Sequence, residues 1–375
     1  MELPISEKKA LLKPLEDLFN DFFPWLAGQY DHENGGFYYA KSSRELQNIE
    51  PDIESSAQAL NILERYHLIE LMPEEMKRKL ITFFQQKQDM NTGYFLDRNP
   101  NMVDDEVMVA RAIGYSTNRL AKFGAKPLYP LPSKDNSAPD YMESIASYRQ
   151  WLESIDLRNS WRGCDRLGVS AIYLAELPKG IREEYLNTAL EFFKEIQDPE
   201  TGLWGEGSMY VRISGTFKLH TFYSRFQKPL PRSEKIYESI IQCLKSEVAT
   251  DMCYIRNSIN LLDYMEVEIS DSDLTTIIEI TTANIRKLKR EDGGFSREIA
   301  NSPSAPNVAQ VKKGDYYPDM PVAVRLSQGL FEGDMNASTQ AVLIHRLCYR
   351  LANLDFDYQH PDFEQFYKMV DALRG

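Results

Sequence analysis

Apolar residues recur at three-and-four spacing along six stretches, roughly 7–27, 73–87, 140–154, 181–196, 232–246 and 273–290, with charges between them. That period puts the apolar positions on one stripe of a helix, so each stretch predicts an amphipathic helix with one buried face. Six others, roughly 53–66, 104–120, 165–177, 209–225, 252–265 and 335–352, are small or apolar on most sides. A helix apolar nearly all round is a buried one. The two kinds alternate, which predicts an outer and an inner layer. The expected fold class is all-α: an (α/α)6 toroid of six helical hairpins around a cavity, one domain over residues 1–375.

Between the layers a polar turn with glycine and an aromatic recurs. It reads Asp31-His32-Glu33-Asn34-Gly35-Gly36-Phe37, Gln88-Asp89-Met90-Asn91-Thr92-Gly93-Tyr94-Phe95, Gln197-Asp198-Pro199-Glu200-Thr201-Gly202-Leu203-Trp204 and Arg290-Glu291-Asp292-Gly293-Gly294-Phe295. Asp, Asn and Gly supply the bent or left-handed backbone that stops a helix, and the aromatic can fill the gap between hairpins. Gly36 to Gly93 is 57 residues and Gly93 to Gly202 is 109, about two such units. Degenerate copies are therefore expected near 150–160 and 245–250, where helices break without a Gly-aromatic ending.

These features resemble the α/α-toroid proteins, which include six-hairpin glycosidases, polysaccharide lyases, terpenoid cyclases and protein prenyltransferases. The Gln-Asp…Thr-Gly-Leu-Trp turn is most similar to the repeat of the prenyltransferase and terpenoid-cyclase branch. The resemblance covers essentially the whole chain in architecture and implies that inner helices begin on one common face, the cavity mouth. It leaves the chemistry open.

Polar residues stand where all six inner helices begin: Asp52 and Glu54; Asp104, Asp105 and Glu106; Trp161 and Arg162; Arg212; Asp251 and Arg256; Asp334 and Asn336. A single Asp at a helix start is accounted for by N-capping, worth about 0.5–2 kcal/mol. The second acids at the same starts are not, because they cannot all cap one helix. Carboxylates, arginines and aromatics around a cavity suit a polyhydroxylated ligand, and crowded carboxylates separate into an acid and a base. The leading expectation is thus a glycoside hydrolase or polysaccharide lyase acting on an oligosaccharide or other small molecule. Its carboxylate pair is Asp104 or Asp105 with Asp334 or Glu54. Asp52, Trp161, Arg162, Arg212, Tyr223, Arg256, Asn336 and Tyr317 are the expected substrate contacts. His220, with Tyr223 three residues on, is a candidate proton carrier for elimination, set against a plain core histidine.

Two other readings stand beside this one. An isoprenoid enzyme of the terpenoid-cyclase or prenyltransferase kind needs an aromatic-lined pocket for carbocations; aromatics cluster on only one inner helix, at Tyr210, Phe217, Phe222, Tyr223 and Phe226, and Asp104-Asp105-Glu106 lacks the Asp-x-Asp-Asp spacing that protonating cyclases present. A binding scaffold without catalysis would use the acids only to solubilise the rim. Protein prenyltransferases carry zinc on Asp, Cys and His. Asp251 and Cys253 match part of that pattern, but Asp334 and Asn336 occupy the place where the His should open a later inner helix, so no metal and no cofactor is expected.

Net charge −13, with no Lys/Arg cluster free of acids, argues against nucleic acid. Four scattered cysteines make no metal or disulfide framework. No run reaches the roughly 18 apolar residues of a membrane span, and Met1–Lys9 is not a secretory signal, so a cytoplasmic location without membrane association is expected. Two connections exceed hairpin length. Gly124–Pro139 is Pro-rich and is expected on the face away from the mouth. Arg297–Phe331, with Asp315, Tyr316, Tyr317 and Asp319, is expected on the mouth side as a substrate lid.

Overall fold

A computed structural model describes residues 3–98, 102–103, 106–132, 139–305 and 324–374. The helices are α1 (Ile5–Glu16), α2 (Phe22–Gly28), α3 (Ile53–Arg65), α4 (Glu74–Gln86), α5 (Glu106–Lys122), α6 (Ile145–Ser154), α7 (Ser160–Glu176), α8 (Lys179–Ile196), α9 (Met209–Arg225), α10 (Ser233–Ser246), α11 (Met252–Met265), α12 (Asp271–Leu288), α13 (Met335–Leu351) and α14 (Phe366–Ala372). Among the described residues the only β-pairing is isolated bridges. The fold is all-α and built of helical hairpins, the unit of the α/α-toroid class.

Three elements depart from the sequence pattern. The first outer helix is broken into α1 and α2 around a 3-10 turn at Asp17–Phe19, because the ring of Pro24 cannot continue a helix past the carbonyl of Asn20. The third inner helix begins earlier than its apolar run, at Ser160, because Asn159 caps it by accepting from Arg162 N. Trp161 and Arg162 therefore lie within its first turn. The seven-residue α14 buries only Phe366 and Val370, too few positions to give a period.

The chain forms two compact units. One holds residues 1–12, 134–284 and 347–355. In it the inner helices pack in series, α7 on α9 and α9 on α11, while the outer helices α6 and α8 pack on each other. The other holds residues 13–133, 285–346 and 356–375, with α3 against α5, α4 against α5, and α14 against α2.

Three of the four repeated turns share one hydrogen-bond plan. Asp31 N donates to Gly36 O and Gly35 N to Asp31 O; Asp89 N donates to Tyr94 O and Gly93 N to Asp89 O; Asp198 N donates to Leu203 O and Gly202 N to Asp198 O. The glutamine before two of these turns is a buried clamp. Gln197 Nε2 donates to Gly202 O and Pro231 O, both at 2.8 Å, and Arg232 donates to its Oε1. Gln88 repeats this with Gly93 O and Tyr129 O, and accepts from Tyr129 N. The described part of the Pro-rich connection thus packs on the second turn rather than away from it, since it offers the backbone groups that Gln88 needs.

The first and third of these turns rest on the outer helix of the next hairpin, and the second on the Pro-rich connection, where a Cβ on Gly93 would meet Pro130 O. A Cβ on Gly35 would meet Lys79 O of α4, and one on Gly202, at φ +70°, would meet Ile236 N of α10 at 2.9 Å. Only glycine permits that backbone and that approach. The last turn follows the same rule on the first outer helix: Gly293 and Gly294 lie against Asp21 and Trp25, and Phe295 packs 5.8 Å from Phe22.

Candidate functional site

At the start of α3, Asp52 is the N-cap, its Oδ1 accepting from Ser55 N at 2.8 Å. Beside it lies Asp97, which accepts from Ile53 N through both oxygens and pairs with Lys87 at 3.0 Å. Lys87 also donates to Pro51 O. Burial pushes Asp52 up to about 7, helped by the negative charge of Asp97. Burial raises Asp97 too, against the opposing pull of Lys87. Burial and the neighbouring carboxylate thus favour the protonated form of Asp52, while Lys87 offsets part of the charge of Asp97.

Two residues on, in the first turn of α3, Glu54 pairs with Arg111 of α5 and accepts from Gln58 at 3.0 Å. Arg111 also donates to Tyr115 OH at 3.0 Å. Gln58, Asn61 and Arg65 follow Glu54 on the same face of α3, so this wall is polar along its length. Asp97, Lys87, Arg111 and Tyr115 were not apparent from helix starts, because they reach the site from a turn, an outer helix end and a helix interior. The signal for Asp97 was its place two residues after the aromatic of the turn. Tyr39 and Arg297 hold that place in the first and last turns, and both meet the start of α13 (Met335 N to Tyr39 O, Arg297 N to Asp334).

Asp334, expected in the carboxylate pair, is fully buried. It accepts from Ala337 N, Arg297 N and Ser302 Oγ at 2.7–2.8 Å, and burial pushes it up to about 6. It ties the base of the 297–331 segment to α13. Asn336 accepts from Gln340 of its own helix. Within that segment Ser302 N bonds Leu330 O and Leu326 N bonds Ser304 O, so its two ends run together. Asp104, Asp105 and Tyr317 lie outside the described residues, as does the side chain of Glu106.

The other unit holds the remaining candidates, mostly in structural contacts. Arg212 binds the turn through Asp198 Oδ2 and Thr201 Oγ1. His220 Nδ1 bonds Phe217 O of its own helix, its ring lies between Phe217 and Tyr264, and burial lowers its pKa. Tyr223 packs instead on Phe193 and Trp204, so the two rings meet different elements. Arg256 sits over Phe217 at 4.3 Å. Lys218 covers Trp161 at 5.0 Å while pairing with Asp165, and Arg162 N is held by the Asn159 cap. Asp251 caps α11 through Cys253 N. No group of three or more His, Cys, Asp or Glu that could hold a metal is found among the described residues.

No protein-family model matches the chain, and no curated protein matches its sequence. Among solved structures, a protein from Actinoplanes is similar over 92% of this chain and 99% of its own, at 14% identity and a TM-score of 0.37. A type II terpene cyclase from Scytonema, solved with its substrate geranylgeranyl dihydroxybenzoate, is similar over 92% of this chain and 99% of its own, at 12% identity and a TM-score of 0.44.

Proposed function

We propose that the chain is an enzyme of the terpenoid-cyclase-like kind that protonates an isoprenoid substrate, with Asp52 as the acid. The observation that carries this reading is the buried Asp52–Asp97 pair, in which Asp52 is pushed up to about 7. A carboxyl raised in this way keeps its proton to higher pH than an ordinary one and can deliver it to an alkene carbon or a carbonyl oxygen. Asp97, held by Lys87 and Ile53 N, sets a negative charge beside Asp52 that favours its protonated form. The Gln…Gly-x-aromatic turns, similar to those of the prenyltransferase and terpenoid-cyclase branch, support the fold that this reading assumes.

A carbohydrate hydrolase or lyase is the second reading, and the polar face of α3 beside Arg111 and Tyr115 favours it. Hydrolysis needs a second carboxylate free to act as base or nucleophile. Among the described residues Glu54 is paired with Arg111 and Asp334 is saturated by three donors.

Polyprenyl substrates and oligosaccharides assayed side by side separate the two. We expect turnover of an isoprenoid, cut at least 100-fold in Asp52→Asn, a substitution that keeps the cap acceptor but not the proton. Turnover of an oligosaccharide, or undiminished turnover in Asp52→Asn, would overturn the assignment.

A further inference from the structure

At the far end of α3 and α5 the balance of charge reverses. Arg119 pairs with Glu64 at 3.1 Å and donates to Asn61, while Lys122 pairs with the same Glu64 at 2.6 Å. One carboxylate thus serves two cations. Arg65 has a neutral partner, donating to Thr339 O and Oγ1 of α13 at 3.1 and 3.0 Å. Arg346, exposed on α13, has no carboxylate partner among the described residues. Burial and repulsion from Arg346 and Arg119 push Arg65 below its ordinary pKa, although a guanidinium stays charged in a protein.

Basic residues in a last helical turn often only bond their own end carbonyls and offset the dipole. That explanation does not fit here. The guanidiniums of Arg65 and Arg119 donate to groups on other helices. Nor does the global field gather anions, for the chain carries net charge −13. Arg119 and Lys122 share Glu64, and Arg65 is repelled by Arg119 and Arg346 nearby, which leaves a local excess of positive charge whose cost an anion would relieve. Arg65 also borders a cavity of about 230 Å³ whose walls include Tyr66, Phe356, Tyr358 and Phe363, with Glu364 as its carboxylate. Ring faces beside a guanidinium suit a flat apolar group attached to the anion.

We propose that Arg65, Arg119, Lys122 and Arg346 form a binding site for a small organic anion, a carboxylate or phosphate joined to a flat apolar body. Planar forks from two or more arginines match either oxyanion. The site lies about 20 Å along α3 from Asp52 at 1.5 Å per residue, and it stands whether or not Asp52 is the acid.

Calorimetry on the full chain tests this with phenyl phosphate, benzoate and inorganic phosphate, each at matched ionic strength. We expect saturable binding of phenyl phosphate or benzoate, at least tenfold weaker in Arg346→Gln and in Arg65→Gln. Inorganic phosphate should bind more weakly than phenyl phosphate, and Asp52→Asn should bind as the wild type does. Arg346 is exposed, so its variant will fold even if Arg65→Gln does not. Absence of saturable binding by either aromatic anion, or wild-type affinity in Arg346→Gln, would overturn the site. Equal affinity for inorganic and phenyl phosphate would overturn the apolar half of the proposal.

Discussion

Asp52 and Asp334 hold corresponding places: each caps an inner helix, and each is followed four residues later by a serine that accepts from a turn phenylalanine. Phe37 N donates to Ser56 and Phe295 N to Ser338. Their surroundings differ. Asp334 spends its oxygens on three donors, whereas Asp52 faces a second carboxylate. Both have folded pKa values raised above the unfolded one, to about 6 and about 7. Their contribution to stability is therefore fully present below the unfolded value near 4 and is lost as pH rises through 6 to 7. His345 is buried neutral and lowered to about 3. Its contribution is present above about 6.5 and lost as pH falls toward 3, opposing the two acids. Asp52→Asn should leave urea midpoints near the wild type at pH 4.5 and raise them at pH 8. An unchanged pH dependence would mean that Asp52 titrates normally. The caps at residue scale were legible because Asp at a helix start has a fixed use. Asp97 was not, because its partners come from a lysine at the end of α4 and a backbone N–H of α3, far apart in sequence.

At the scale of the element, the alternation of amphipathic and apolar stretches placed all twelve hairpin helices, mostly to within a few residues. Misplacement occurred where a single residue decides, at Pro24 and Asn159, and where an element is as short as α14. The turns show why the repeat survives only in part. In the two degenerate copies the chain passes directly from one helix to the next cap, Ile155 to Asn159 and Glu247 to Asp251. Where the full turn is kept, Gln197 and Gly202 fix it. Gly202→Ala should cost about 1–3 kcal/mol from a strained left-handed backbone, in addition to the clash with α10. Gln197→Ala should cost about 1–3 kcal/mol by leaving Gly202 O, Pro231 O or Arg232 without a partner. Thermal or urea unfolding checks both, and loss of neither would show that the turn is not held by this clamp.

For the molecule as a whole, the informative contacts join the two ends of the sequence within one compact unit. Trp25 lies against Gly294, Phe19 is 5.1 Å from Phe295, and Lys289 pairs with Asp21 at 2.6 Å. The last turn thereby meets the first outer helix as the turns at Gly35 and Gly202 meet the outer helices that follow them. Trp25→Ala should cost about 3–5 kcal/mol for a buried aromatic and expose amides near 289–296 to hydrogen exchange before the rest of the molecule. Uniform loss of protection would argue against a specific closing contact. No described helix is long and apolar enough to cross a membrane. The sequence pattern could foresee the hairpins but not which rim residues meet, since that depends on contacts between helices distant in the chain.

The acid role of Asp52 is open to direct titration. Carbon-13 NMR of its side-chain carboxyl, in the wild type and in Asp97→Asn, should give a midpoint near 7 that falls when the neighbouring charge is removed. A midpoint near 4 in both would contradict it, and would leave Asp52 as a helix cap and nothing more.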